Sequence, residues 1–71
     1  MIPLAYKNHV EARDLAINRL VDMYFDDYDI TNREIFNATL ARYGLIKDGF
    51  CLEEDYIIQE VTKKINMRLK V

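Results

Sequence analysis

The chain is short of almost everything a small protein uses as a staple. Its 71 residues include one cysteine, Cys51, and one histidine, His9. No intrachain disulfide can form, and no Cys/His zinc set exists. Serine is absent, which excludes a Gly-x-Ser-x-Gly nucleophile turn. The two glycines, Gly44 and Gly49, are too few for a phosphate-cradling loop, and the single proline, Pro3, leaves no proline-rich linker. No uncharged run approaches the ~18 residues of a membrane helix. The first residues lack a basic leader followed by a long apolar stretch, and the lone thiol suits a reducing compartment, so a cytoplasmic protein is expected.

What is present is apolar bulk. Hydrophobic residues make up 51% of the chain, with five tyrosines and three phenylalanines. A chain of this length forms one domain, residues 1–71, and buries only roughly 60% of its unfolded surface. That surplus predicts self-association as a homodimer or capture of a protein partner.

The sharpest local signal lies in residues 30–45. Thr31 and Glu34 are spaced as a capping box, with Ile30 and Ile35 as its hydrophobic staple. Gly44 is placed to end the same helix in the left-handed conformation, with Leu40 and Leu45 beside it. The second helix is therefore predicted over 32–43, with Ile35, Phe36, Leu40 and Tyr43 buried. A first helix is predicted from about Asn8 to Phe25, with a second capping box at Asn8 and Glu11, or a start at Pro3. Its apolar face is Val10, Ile17, Leu20, Val21, Tyr24 and Tyr28, widened by Met23 and Phe25. Asp26-Asp27-Tyr28-Asp29 breaks it. Asp48-Gly49 between apolar pairs predicts a type I′ hairpin, or an ordered loop, over 45–52. A third helix follows from about Leu52 to Leu69, with Ile57, Ile58, Val61, Ile65 and Leu69 on its apolar face. Glu53, Glu54 and Asp55 open it and Lys63, Lys64, Arg68 and Lys70 close it, as the macrodipole favours. The expected fold is mainly α, a three-helix domain in the order α-α-ββ-α.

Chemistry is harder to find. A calcium loop aligned from Asp27 places Asp29 and Thr31 at ligand positions, but Asn32 stands where glycine is required and Ala38 where the closing glutamate belongs. No metal site and no cofactor are expected. His9 reads as a surface residue and Cys51 as a small core residue, with no orienting group or oxyanion hole to make them a base and a nucleophile. No enzyme is expected.

Charge divides unevenly. Residues 1–29 and 30–60 each carry three basic and six acidic side chains, whereas 61–71 carry four basic and none acidic. Asp22, Tyr24, Asp26, Asp27, Tyr28 and Asp29 form an acidic-aromatic stretch with no basic residue in it. Carboxylates pair with arginine and tyrosines supply rigid contact area, so the stretch suits a basic protein groove. Met23, Phe25, Tyr28 and Phe50 are expected to spill onto such an interface. The partner-binding candidates are thus Asp22, Asp26, Asp27, Tyr28, Asp29 and Phe50. The functional expectation is a non-enzymatic interaction module, a small regulator, adaptor or inhibitor of a larger protein, in the style of a phage or mobile-element accessory protein.

The competing expectation is a dimeric nucleic-acid-binding regulator. Helices one and two with the Asp-Gly hairpin would form a helix-turn-helix and wing, and Lys63, Lys64, Arg68 and Lys70 would touch phosphate. It is less favoured, because the turn before the second helix is rich in aspartate and the second helix offers only Arg33 and Arg42.

Overall fold

The computed structural model describes residues 9–70. Three helices and one hairpin follow in the order α1 (His9–Phe25), α2 (Arg33–Arg42), β1 (Ile46–Lys47), β2 (Phe50–Cys51) and α3 (Glu54–Leu69). The order is the α-α-ββ-α expected from the sequence. The proposed starts at Pro3 and at the Asn8–Glu11 box lie outside the described residues.

α1 is the element on which the rest is built. Ala12, Ala16, Ile17, Leu20 and Val21 form its buried stripe, and they join Phe36 and Leu40 of α2, Leu45, and Ile57, Val61 and Ile65 of α3 in one cluster. The two alanines let the neighbouring helix approach closely, a role that periodicity of large residues does not reveal. Val10, by contrast, is exposed, as are Ile58 and Leu69 on α3. A helix in a three-helix domain has more apolar positions than its neighbours can cover, and these three fall on the uncovered side.

The chain enters α2 differently from the expected capping box. Asp29 accepts from the Thr31 backbone N–H (3.1 Å) and from the Thr31 hydroxyl, so Thr31 is turned back toward Asp29 and not toward α2. Asn32 is the N-cap. Its backbone is extended, and its side-chain oxygen accepts from the N–H groups of Glu34 (2.9 Å) and Ile35 (3.3 Å). This moves the cap one residue along, so Glu34 is too early to close a box. The Ile30–Ile35 staple belongs to that box; Ile30 instead packs against the main cluster.

α2 ends as predicted. Gly44 has φ +74°, its N–H reaches Ala41 O (3.1 Å), and the Leu45 N–H reaches Leu40 O (3.1 Å). These are the two bonds of a Schellman motif, and Leu40 and Leu45 are both fully buried beside it. α1 ends in the same pattern with Asp27 in the glycine position. Asp27 has φ +68°, its N–H reaches Tyr24 O (3.2 Å), and the Tyr28 N–H reaches Met23 O (3.0 Å).

The hairpin pairs Ile46 with Cys51 and Lys47 with Phe50. Asp48 and Gly49 both have positive φ, 53° and 81°, which is the type I′ turn. By turning the chain back, it sets α3 parallel to α1. Glu53 meets His9 and Arg13 at one end, and Arg68 meets Asp22 at the other. No described helix is long and apolar enough to cross a membrane.

Candidate functional site

The Schellman turn at the end of α1 determines where the acidic-aromatic stretch points. Tyr24, Phe25, Asp27, Tyr28 and Asp29 line one open depression of about 400 Å³, with Leu69 from the end of α3 on its wall. Tyr24 and Phe25 stand perpendicular, with ring centroids 5.2 Å apart. Tyr28 is 52% exposed and Leu69 61%. Asp29 is held below the usual carboxylate range, first by the Thr31 hydroxyl and then by the Thr31 N–H, so it remains an anion in mildly acidic solution. Among the described residues, neither Asp26 nor Asp27 has an ion-pair partner.

Asp22 is engaged. Its carboxylate accepts from Arg68 at 3.3 Å, and the Arg68 guanidinium lies 5.2 Å from the Phe25 ring centroid. The chain thus shows, at the edge of the depression, one guanidinium held between a carboxylate and an aromatic face. Nothing in the sequence spacing marks this contact, because it joins positions 46 apart whose meeting depends on the parallel setting of α1 and α3.

Of the apolar residues expected to spill onto an interface, Met23 and Phe50 lie elsewhere. Met23 is buried, not exposed, and its sulfur faces the Thr39 hydroxyl at 3.5 Å. It faces α2, beside Tyr28 and Tyr43. Phe50 is 75% exposed but sits on the hairpin, three residues before Glu53. Glu53 binds His9, and α1 runs 17 residues to Phe25, so roughly 25 Å of helix separates Phe50 from the aspartates.

The basic candidates also diverge. Arg68 is folded onto Asp22 and Phe25. Lys64 lines a small depression with Asp14 and Glu60, whereas Lys63 and Lys70 flank Met67 on another face. Arg33, on the helix that would read DNA, is bound to Glu54.

At the opposite end of the domain Glu53 forms a clasp. It accepts from Arg13 (3.1 and 3.2 Å) and lies 2.6 Å from His9 Nε2. His9 and then Arg13 hold the Glu53 carboxyl below its ordinary range. The Arg13 guanidinium also lies 4.1 Å from the Tyr56 ring centroid. Cys51 is half-buried, and desolvation followed by the charge of Glu54 pushes its thiol up to about 11. It stays protonated at neutral pH, the reverse of an activated nucleophile. Among the described residues, no group of three or more His, Cys, Asp or Glu side chains is placed to hold a metal ion.

Comparison with protein-family models, curated proteins and solved structures finds no match to this chain.

Proposed function

We propose that this chain is a non-enzymatic protein–protein interaction module, a small regulator, adaptor or inhibitor that presents the depression at the end of α1 to a basic surface on a larger cytoplasmic protein. One observation carries the reading. Tyr24, Phe25, Tyr28 and Leu69 leave apolar surface exposed in the same depression that holds Asp27 and the ionised Asp29. A guanidinium from the partner would lie on an aromatic face and pair with a carboxylate, as Arg68 does with Phe25 and Asp22. The rings and Leu69 supply affinity, and the aspartates supply orientation and encounter rate. Inhibition would then follow from covering the partner's basic groove. Self-association belongs to the same reading, because the chain exposes large apolar side chains on more than one face.

The left-handed Asp27 supports it. Glycine is the favoured residue at that position of a Schellman turn, and aspartate occupies it at some cost in stability. The turn sets Asp27 on the depression beside Tyr24, Phe25 and Tyr28.

The test is capture by the tagged chain from its native host, with and without nuclease, compared across three proteins. The parent should retain one dominant protein after nuclease. Asp26→Lys with Asp27→Lys should lose it while the circular dichroism spectrum is unchanged. Lys63→Glu with Lys64→Glu should keep it. Retention that survives the aspartate reversal removes the acidic turn from the interface. Retention of nucleic acid that is abolished by the lysine reversal replaces this reading with the nucleic-acid regulator.

A further inference from the structure

α2 and α3 both pack on α1, and between them runs a groove of about 380 Å³. Its walls are mainly Ile30 and Phe36 on one side and Ile58, Val61, Thr62 and Ile65 on the other. On α3, Ile58, Thr62, Ile65 and Leu69 follow one another at intervals of four, three and four residues. That spacing is the seam of a helix that pairs with another helix. Yet the seam is only partly covered within the chain: Ile65 is buried, whereas Ile58 is 43% exposed and Leu69 more so.

We infer that this face is a self-association surface, on which two copies pack α3 against α3 in antiparallel orientation about a two-fold axis near Thr62 and Ile65. The charges of α3 select this occupant. Glu54 and Arg68 are bound to Arg33 and Asp22, and Glu60 and Lys64 lie beside Asp14 of α1. This leaves Asp55 in the first half and Lys63 in the second, with Lys70 at the C-cap and no carboxylate after Glu60. An antiparallel copy sets each acidic half against a basic half. A parallel copy stacks like charge on like, and a helix of uniform charge meets repulsion at one end of the groove. A two-fold axis also makes the contact closed and self-complementary, so it ends at a dimer. In that register Asp55 of one copy faces Lys70 of the other across the rim. The surface adjoins the depression at the end of α1, with Tyr24 bordering both and Leu69 standing at their junction.

The full chain is tested by sedimentation equilibrium from 1 µM to 0.5 mM, the range in which a weak two-helix contact populates. The expected mass at the upper end is twice the 8.4 kDa of one chain. Ile58→Asp, at an exposed position, should leave the circular dichroism and the dilute, monomeric thermal midpoint close to the parent's and weaken the dimer ~10-fold or more. Asp55→Lys and Lys70→Glu should each weaken it, and the two together should restore it, because the pair is exchanged across the axis. A chain that stays monomeric at 0.5 mM overturns the inference and leaves the groove to a different partner. So does a dimer that is indifferent to Ile58→Asp in a folded protein. Single charge reversals that the double variant fails to rescue overturn the antiparallel arrangement.

Discussion

Three helix boundaries rest on single residues: Asp27 at the end of α1, Asn32 at the start of α2 and Gly44 at its end. Asn32 holds two of the orphan N–H groups of α2, while Thr31 spends its donors on Asp29. Asn32→Ala should therefore cost ~1 kcal/mol in urea unfolding, and Thr31→Ala clearly less. The reverse order would restore Thr31 as the cap. The two left-handed helix ends make a matched pair. Gly44→Val forces a β-branched residue to φ +74° and should cost ~1 kcal/mol or more. Asp27→Gly relieves the equivalent position and should raise stability by ~0.5–1 kcal/mol. If the acidic turn is the working surface, that same variant gains stability while losing partner capture. Gly44 was legible in the sequence because glycine has few other reasons to follow a helical stripe. Asp27 was not, since four acidic or aromatic residues in a row say that a helix stops without saying which residue turns.

Elements meet through contacts whose sequence separation hides them. α1 and α3 are joined at one end by the Glu53 clasp on His9 and Arg13, and at the other by Arg68 on Asp22. Glu53 itself stands at the N-cap of α3 with φ +52° and makes no side-chain cap bond. Its carboxylate serves the inter-helix contact instead of its own helix. The bonds from His9 and Arg13 place its folded-state pKa below the unfolded value, so the clasp stabilises fully above the unfolded value and is lost as pH falls through the folded one. Glu53→Gln should be less stable than the parent at pH 7, and the gap should close below about pH 4, near and beneath the ordinary glutamate value. Urea midpoints of both proteins from pH 7 to pH 2.5 measure it. A gap that persists to pH 2.5 would mean that Glu53 acts through its shape and not its charge. The helices and the Asp48-Gly49 hairpin were readable because each is written in local periodicity and turn chemistry. The clasp was not, because nothing near Glu53 in sequence names His9 or Arg13.

At the scale of the molecule, the domain is held by a single apolar cluster centred on α1, with α2 and α3 on either flank. This explains why the sequence identified the inward residues of α2 and α3 better than the exposed ones. Ile57, Val61 and Leu40 had to face inward for any arrangement of three helices, whereas the exposure of Ile58, Leu69 and Val10 depends on where the third dimension leaves a gap. It also explains why the depression took shape only in three dimensions: Leu69 and Arg68 reach Phe25 because the hairpin makes α3 parallel to α1. A structure with one spine should unfold as one unit. Leu20 is fully buried in that spine, and Leu20→Ala removes side-chain packing at its centre. The substitution should cost ~3 kcal/mol, a large share of what so small a domain possesses. Helix content and tyrosine fluorescence should fall together at one lowered midpoint. Separate midpoints, with part of the helix content lost while the rest persists, would show that the helices do not depend on one shared core.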